Sequence, residues 1–383
     1  MQMMNNELRT MNSFEVVHRD SATSARVGKL RTAHGEIETP CFMPCATQGT
    51  VKALSSEELE GLGAEIILSN AYHLYLRPGR DTLQEIGGLH AFMSWKGAIL
   101  TDSGGYQVFS LSPLRKITDE GVSFQSHIDG SKQFLSPEEV IRFQNLLGSD
   151  VMMVLDECVG YPSGKKEVQE AMERTLLWAD RSKKEFEQTV NRGQLLFGIV
   201  QGGCFADLRK ECSERLIQIG FDGYAIGGLG VGEPKELLWE YAALSAQGLP
   251  SGHPRYLMGV GPPEDLVEGI AAGVDLFDCV IPTRNGRNGQ VFTRYGILNL
   301  NNACYAKDPG PLEEGCLCPS CQRYSRSYSH HLLKAKEILG VRLTTQHNIS
   351  FYLRLMKEAR QAIREKRFAA FKEKIQNQVR RHP

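Results

Sequence analysis

The sequence lacks the long apolar run that a membrane-spanning protein needs. No stretch of about 18 consecutive apolar residues occurs anywhere in its 383 residues. The first eight residues also lack a basic start followed by an apolar segment, so they do not resemble a secretory leader. Hydrophobic residues make up 41% and charged residues 23% of the chain, which is the composition of a soluble globular protein. The sequence therefore predicts a cytoplasmic protein without a membrane partner.

Two common catalytic signatures are also missing. No phosphate-binding GxGxxG or Walker sequence is present, and the glycine-rich residues 227–232 lack the Lys-Ser/Thr of a P-loop. No strand-like segment is followed by the His-x-His of a barrel metallohydrolase. His73, His127 and His253 are isolated in the sequence and are interpreted as structural. The glycines are predicted instead to let a flat ligand touch the main chain.

The net charge of only -1 conceals an uneven distribution. Residues 351–383 contain ten Lys or Arg against three Glu. Such a run is either a solvated helix face or a nucleic-acid contact, and a nearby site that needs phosphate contacts favours the second. Five apolar residues recur among these cations, which predicts a last helix with one packed face and one cationic face. They are Phe351, Leu355, Ile363, Phe368 and Phe371.

The chain is longer than the roughly 250 residues of a (β/α)8 barrel, so one large and one small domain are expected. Helical segments, at 55–62, 136–147 and 263–272 among others, separate eight short apolar runs. This alternation predicts an α/β protein built on a parallel (β/α)8 TIM barrel. The runs are 41–43, 66–68, 98–100, 151–155, 195–200, 223–226, 255–259 and 275–280.

Two additions to the barrel are predicted from turn signals. Residues 13–40 alternate and turn, which indicates an N-terminal antiparallel cap, and 111–134 form an insertion with hairpin signals at 119–121 and 129–130. The predicted domains are therefore a catalytic barrel with its cap, at 13–300, and a zinc-binding, helical, basic subdomain, at 301–383.

Polar residues follow most of the predicted barrel strands. Asn70, Asp102, Asp156 and Gln201 stand at or just beyond four of them, and Asp278 lies within the eighth. Barrel enzymes place their chemistry at the carboxyl ends of the strands, so these side chains are expected to converge on one rim. Three carboxylates, an amide and exposed glycine backbone predict an active site there.

The eighth run breaks at Pro282 into a loop that contains Arg284, Gly286 and Arg287 but no acid. A carboxylate beside a basic loop suggests an enzyme that acts on a nucleotide near its sugar, because the arginines could hold a phosphate backbone while Asp278 reacts.

A separate cluster of thiols predicts a metal site. Cys316, Cys318 and Cys321 fall within six positions, and a helix is predicted around 330–339 before His347. Three thiolates and one imidazole form a closed tetrahedral zinc site of the structural kind. From spacing alone the fourth ligand stays open, and the other candidates are Cys304, His330 and His331.

These residues together resemble the bacterial tRNA-guanine transglycosylases over nearly the whole chain. The matching motifs are 101–107 (TDSGGYQ), 156–158 (DEC), 227–229 (GGL), 277–279 (FDC), 282–284 (PTR), 286–289 (GRNG), 337–340 (EILG) and the Cys/His set. The resemblance implies a glycosyltransferase with one structural Zn²⁺, commonly a homodimer. It would exchange guanine at wobble position 34 of GUN-anticodon tRNAs, for Asp, Asn, His and Tyr, for a 7-deazaguanine base in queuosine synthesis.

The resemblance also implies roles for individual residues. Asp278 would be the nucleophile that forms a covalent ribosyl intermediate, and Asp102 the general acid/base. The base would contact Asp102, Ser103, Gly104, Gly105, Tyr106, Asp156, Cys158, Gln201, Gly228, Leu229 and Met258. The anticodon loop, with its wobble nucleotide splayed out, would contact Gly259, Val260, Gly261, Pro262, Pro263, Glu264, Asp265, Thr283, Arg284, Asn285, Gly286 and Arg287.

Three stretches depart from the usual bacterial pattern, and they bear on the incoming base. Residues 41–48 (CFMPCATQ) differ from the common Val-Gly-Thr run, Val159-Gly160 replaces Thr-Pro, and Gly230 replaces Ala. The last two changes favour a roomier pocket, whereas Cys158 and Val231 match the bacterial form. We expect 7-aminomethyl-7-deazaguanine as the incoming base, with queuine as the alternative.

Two other functions are weighed against this one. A non-catalytic tRNA-binding homologue should lack one of the two catalytic carboxylates, and this chain has both Asp278 and Asp102. A zinc hydrolase on the same barrel would need its metal at the rim with an open coordination position, whereas the thiol cluster lies beyond the last barrel strand.

Overall fold

The structure is a computed structural model that describes residues 13–107, 115–189 and 193–380. In chain order its strands are β1 (Phe14–Arg19), β2 (Arg26–Thr32), β3 (Gly35–Thr39), β4 (Cys41–Pro44), β5 (Ile66–Asn70), β6 (Ala98–Asp102), β7 (Arg115–Thr118), β8 (Gly121–Gln125), β9 (Lys132–Leu135), β10 (Val151–Met153), β11 (Leu195–Val200), β12 (Gly223–Ile226), β13 (Arg255–Leu257), β14 (Leu276–Cys279), β15 (Gln290–Thr293) and β16 (Gly296–Asn299).

The described helices alternate with most of these strands. They are α1 (Ser56–Gly61), α2 (Ala71–Leu76), α3 (Arg80–Ile86), α4 (Leu89–Met93), α5 (Pro137–Leu147), α6 (Lys165–Gln188), α7 (Ala206–Ile219), α8 (Lys235–Gly248), α9 (Pro263–Ala271), α10 (Ile281–Arg287), a 3-10 turn (Ala303–Lys307), α11 (Pro319–Arg323), α12 (Arg326–Lys334), α13 (Ile338–Arg364) and α14 (Phe368–Arg380). None of the helices in the described ranges combines the length and apolar character needed to cross a bilayer.

Eight parallel strands form the predicted barrel. Their order is β4-β14-β13-β12-β11-β10-β6-β5, and a parallel bridge between Cys45 and Leu68 joins the two ends. The Ala46 amide donates to the Leu68 carbonyl at 2.6 Å across the same junction. Every residue of β5, β6, β11, β12 and β14 is buried, as expected for parallel strands covered by helices. The predicted fold class is confirmed.

Local sequence explains where several helices begin. Ser55 caps α1 in a capping box with Glu58, and Ser136 caps α5 immediately before Pro137. These helices and α9 confirm the segments predicted at 55–62, 136–147 and 263–272.

The two predicted additions are present. Strands β1 to β3 form the antiparallel cap, and β7 to β9 form an antiparallel sheet with turns at 119–120 and 126–131. Residues 111–114 of the predicted insertion lie outside the described residues. Phe124 of β8 packs on Tyr72 of α2, with ring centroids 5.2 Å apart, which ties the insertion to the barrel.

The cap covers the amino-terminal end of the barrel through contacts with two buried carboxylates. Arg26 of β2 donates twice to Asp275, at 3.0 and 2.5 Å. At the tip of the cap, His34 lies 2.8 Å from Asp150 and its ring stacks on His90, with centroids 3.7 Å apart. Both carboxylates are fully buried and have basic partners.

Two helix predictions in the C-terminal region were wrong. The segment 330–339 is divided between α12 and α13, and the single last helix is divided between α13 and α14. Lys336 (φ +58) and Lys366 (φ +57) adopt the left-handed conformation at these breaks. At each break, hydrogen bonds to the preceding turn complete a Schellman motif. Glycine usually occupies this position, so lysine gave no signal. The predicted apolar face is confirmed, because all five of its residues are buried.

Helix α13 packs against the barrel rather than apart from it. Arg360 donates to the Pro40 carbonyl at 2.8 Å, and Tyr352 donates to the Gly261 carbonyl at 2.7 Å. The domain boundary at residue 300 stays a prediction.

Candidate active site

Three buried carboxylates lie at the carboxyl ends of the barrel strands. Asp102 ends β6, Asp156 follows β10, and Asp278 lies in β14. Their exposed fractions are 8%, 7% and 9%. Within the described ranges, none of the three has an ion pair with a Lys, Arg or His. Because burial disfavours an unpaired charge, all three carboxyls have raised pKa values.

Asp278 is held by uncharged donors. Its Oδ1 accepts from the hydroxyl of Tyr256 at 2.6 Å and from the amide of Gly259 at 2.7 Å. Among the described residues, its Oδ2 accepts only a long contact from the Cys45 thiol, at 3.5 Å. Burial is the main cause of the raised pKa of Asp278, and these three hydrogen bonds oppose it. The carboxylate is therefore oriented but not neutralised.

Asp102 is arranged to hold a proton near neutral pH. Burial, followed by the charges of Asp156 and Asp278, raises its pKa to about 7. Asn70 and Asp102 are register partners on adjacent parallel strands, and the Asn70 amide donates to Oδ2 of Asp102 at 3.0 Å. A carboxyl with this pKa can donate and accept a proton in one cycle.

Asp156 and Gln201 form a second polar pair. The amide of Gln201 donates to Oδ2 of Asp156 at 2.8 Å, and burial raises the pKa of Asp156 to about 6. Gly228 has φ +63, and a Cβ there would lie 2.3 Å from Oε1 of Gln201. A Cβ on Gly105 would lie 2.4 Å from Asp156. Glycine therefore lets main chain approach both polar side chains closely.

Two charged residues that sequence reasoning missed support the loop after β12. Arg209 is fully buried on α7 and donates to the carbonyls of Gly227 and Gly228, at 3.0 and 3.3 Å. The Glu233 carboxylate accepts from the amides of Gly230 and Val231. Arg209 lies in an amphipathic helix and Glu233 in a polar loop. In both settings the sequence alone does not distinguish a charge that supports the loop from one that is simply solvated.

Tyr256, Asn70 and Cys45 are further neighbours of the carboxylates. In the sequence Tyr256 belongs to an apolar run, and only the strand register shows that its hydroxyl reaches Asp278. The sequence marks Asn70 as a polar strand end without indicating a role. Cys45 differs from the family pattern, and the sequence gives no further signal for it.

The other predicted base-contact residues surround this group. Ser103 is fully buried, and its hydroxyl has no hydrogen-bond partner within the described structure. Cys158 and Leu229 are buried, Met258 is partly buried, and Tyr106 is 47% exposed. Gly104 lies against Tyr72, where a Cβ would come within 2.5 Å. Their contacts with a base stay predictions.

The predicted RNA contacts divide into exposed and enclosed residues. Arg284 is exposed on α10, and Arg287 is partly buried with an Nη1 that has no acceptor in the described structure. Neither arginine has an ion pair within the described ranges. Several of the others, by contrast, are buried and would act by shaping the loop. They are Val260, Gly261, Pro263, Asp265, Thr283 and Gly286.

Helix α13 supports the loop that presents these arginines. Thr344 donates to the Gly286 carbonyl at 2.7 Å, and Asn348 donates to the Pro282 carbonyl at 2.9 Å. A Cβ on Gly286 would lie 2.9 Å from the backbone of Thr345. The position of α10 therefore depends on the C-terminal region.

The predicted Cys/His cluster forms where α11 and the loop before it meet His347 of the same helix α13. Nδ1 of His347 lies 3.8, 3.6 and 3.3 Å from the sulfurs of Cys316, Cys318 and Cys321. Nε2 of His347 lies 2.7 Å from the Phe292 carbonyl, which leaves Nδ1 free to face a metal. The four residues can hold a metal ion. Of the alternative ligands, Cys304 is exposed and His330 bonds to the Leu300 carbonyl.

The basic C-terminal run is largely engaged in ion pairs. Arg360 and Arg364 contact Glu38, Arg354 contacts Glu313, and Lys372 contacts Glu268. These cations mainly attach α13 and α14 to the rest of the protein. Fewer of them are available to RNA than the sequence predicted.

The structure is a closed parallel barrel with buried carboxylates grouped at the strand ends and a separate Cys3His cluster that can hold a metal ion. The family model for queuine tRNA-ribosyltransferase matches residues 20–381. The chain belongs to this family, the tRNA-guanine transglycosylases, which are glycosyltransferases acting on tRNA.

Named relatives agree with this assignment. The chain is 57% identical to a queuine tRNA-ribosyltransferase of Caldanaerobacter subterraneus subsp. tengcongensis, over 94% of this chain and 96% of the relative. It is 56% identical to one of a Thermoanaerobacter species over the same shares, and 55% identical to one of Desulforudis audaxviator, over 94% and 97%.

Proposed function

We propose that the protein exchanges guanine at position 34 of GUN-anticodon tRNAs for 7-aminomethyl-7-deazaguanine, through a covalent intermediate on Asp278. The observation that carries this proposal is a buried carboxylate that has no cationic partner among the described residues and is held at the carboxyl end of the barrel by Tyr256 and Gly259. A carboxylate without a neutralising cation keeps its negative charge available for attack.

The two half-reactions would use the same pair of carboxyls. Asp278 forms a bond to C1′ of the ribose as the bond from C1′ to guanine breaks, and the departing base takes the proton of Asp102. In the second half, Asp102 accepts a proton from the incoming base, which attacks C1′ and releases Asp278. The pKa of Asp102, about 7, suits both directions at neutral pH.

Recognition of the base would combine side-chain and main-chain groups. Asp156 and Gln201 offer acceptors and a donor, Gly228 and Leu229 offer backbone, and Tyr106 and Met258 would face the ring. The Gln201 amide already bonds to Asp156, so the pair is oriented before a base arrives. An oriented pair of this kind discriminates against a base that leaves a buried polar group unpaired.

The anticodon loop would lie beside α10. Arg284 is exposed and Arg287 is partly exposed, and neither forms an ion pair within the described structure, so a phosphate can approach them without breaking one. We attribute the RNA contact chiefly to these two arginines rather than to the ion-paired C-terminal run.

The conformation of Gly230 favours the smaller incoming base. Gly230 has φ +71, and a Cβ there would meet Val260 at an ordinary 3.6 Å. A positive φ is by itself a reason for glycine, so Gly230 does not have to indicate a pocket enlarged for a bulky base. This removes one argument for the bulkier queuine.

Release of labelled guanine tests the proposal. A tRNA transcript with labelled guanine at position 34 should release it when 7-aminomethyl-7-deazaguanine is added, and a transcript with adenine at that position should not react. Release that is independent of position 34 would contradict the site assignment. Competition between 7-aminomethyl-7-deazaguanine and queuine tests the identity of the incoming base. If queuine alone displaces the labelled guanine, queuine is the incoming base and our choice is wrong.

We propose Zn²⁺ as the metal of the Cys3His cluster, because three thiolates and one imidazole are the donors of structural zinc sites. Metal analysis should find one zinc per chain, and Cys318→Ala should lose it together with stability of the C-terminal region. Protein purified without chelators that contains no zinc would refute this. The homodimer and the cytoplasmic location stay predictions from the resemblance and from composition, and light scattering checks the first.

A further inference from the structure

The two oxygens of Asp278 have unequal surroundings. Oδ1 accepts two short hydrogen bonds, from Tyr256 and Gly259, whereas the one donor to Oδ2 in the described part of the chain is the Cys45 thiol, at 3.5 Å. A thiol is a weak donor, so Oδ2 loses little of its charge to this contact. The carboxylate is therefore fixed through one oxygen and left reactive at the other.

Cys45 is itself held in place by the closure of the barrel. It follows β4, pairs with Leu68 of β5, and is 5% exposed. Burial, together with the charge of Asp278, raises the pKa of Cys45 well above its usual value. The thiol therefore stays protonated, acts as a donor, and does not compete with Asp278 as a nucleophile.

We propose that Cys45 is a positioning residue for the nucleophile, and that its thiol directs Oδ2 of Asp278 towards C1′ of the ribose without neutralising that oxygen. The inference rests on the proposed function of Asp278. In the first half-reaction, Oδ2 forms the bond to C1′, the bond from C1′ to guanine breaks with its electron pair, and the base takes the proton from Asp102.

A stronger or an absent donor should change the reaction in opposite directions. Cys45→Ser places a stronger donor on Oδ2, which stabilises the carboxylate and weakens it as a nucleophile. Cys45→Val keeps a similar volume and removes the donor. The other titratable groups that act on Asp278 or are acted on by it are Tyr256, Asp102 and Cys279, and the substitutions leave all three unchanged.

The measurement is the pH dependence of single-turnover formation of the tRNA adduct, whose acid limb reports ionisation of Asp278. We expect the apparent pKa of that limb to rise by roughly a few tenths of a unit in Cys45→Val, because a weak donor is lost, and to fall by roughly half to one unit in Cys45→Ser. The rate on the plateau should fall several-fold in the serine variant. A purely structural role for Cys45 would not shift the limb in opposite directions.

Cys41→Val is the matched control, since Cys41 is a buried thiol in β4, four residues before Cys45, and its register partner is Leu276 rather than Asp278. It should keep the wild-type profile. Profiles of both Cys45 variants that coincide with the wild type, or that shift in one direction, overturn the proposal. If one variant fails to fold, the sign of the shift in the other still decides.

Failure of the proposed function is distinguishable from failure of this inference. If the tRNA adduct still forms in Asp278→Asn, Asp278 is not the nucleophile and the proposed function of this residue fails. If Asp278→Asn is inactive but the pH profiles of the Cys45 variants match the wild type, the proposed function stands and only the role of Cys45 is refuted.

Discussion

Asp275 and Asp278 lie three residues apart in the chain, at opposite ends of the barrel, and both are buried. Asp275 receives two hydrogen bonds from Arg26 and one from the amide of Arg255. Asp278 receives hydrogen bonds from uncharged donors alone in the described ranges. A buried carboxylate paired with a cation stabilises an arrangement, whereas one without a cation retains the reactivity that catalysis uses.

The cations of the two ends show the same contrast. Arg26 and Arg255, at the amino-terminal end, are buried beside Asp275. Arg284 and Arg287, beside the reactive end, have no carboxylate partner in the described ranges. The protein therefore neutralises charge where the cap is attached and leaves charge unpaired where tRNA is expected.

The most severe test of the comparison is Asp278→Asn. We expect guanine exchange to fall by at least roughly 10⁴-fold, because an amide keeps the shape but cannot attack. Stability should be equal or higher, since the variant removes a buried charge that has no cation. Exchange assays and denaturant unfolding on one preparation measure both, and full activity would refute the nucleophile assignment.

Asp275→Asn should have the converse effect. It leaves the buried Arg26 without a counter-charge, at a cost of about 3–5 kcal/mol in the free energy of unfolding. Activity per folded molecule should be close to wild type, because Asp275 faces the other end of the barrel. Unfolding midpoints unchanged from wild type would show that the cap does not depend on this ion pair.

Asp102→Asn tests how much it costs to ionise a buried carboxyl at the carboxyl end of the barrel. The cost appears in the pH dependence of the free energy of unfolding. Burial raises the pKa of Asp102 from 3.8 to about 7, so the folded protein holds a proton that the unfolded chain releases. Stability contributed by this group is present at low pH and is lost as pH rises towards 7, by about 2 kcal/mol between pH 5 and pH 7. In Asp102→Asn the free energy of unfolding should lack that part of the decline. Denaturant unfolding measured between pH 5 and pH 7 checks this.

The smallest expected effect concerns the arginines. The double variant Arg284→Gln, Arg287→Gln should lose two phosphate contacts. The slope of log affinity for tRNA against log salt concentration should therefore become shallower by about 1.4. Lys372→Gln, which breaks an ion pair with Glu268, is the control and should leave the slope unchanged. If the salt slope falls equally in the double arginine variant and in Lys372→Gln, the ion-paired C-terminal run also contacts RNA.

Helix ends show where sequence reasoning reached its limit. Ser55 and Ser136 were recognisable caps because their side chains satisfy backbone amides locally. Lys336 and Lys366 end helices in a conformation that glycine normally adopts, so the breaks were missed. A lysine tolerates this conformation when the packing of the two adjoining helices compensates for its cost, and that packing is not encoded in the local sequence.

The sequence by itself determined the strand-helix alternation, the carboxylates at the strand ends and the Cys/His cluster, because each depends on local periodicity or on short spacing. Only the tertiary structure decided which charges are neutralised. Arg26 and Asp275 are far apart in the chain, as are Cys45 and Asp278, and their contacts exist only because the barrel closes between β4, β5 and β14. Closure fixes which donors reach each buried carboxylate, and those donors distinguish the structural acid from the reactive one.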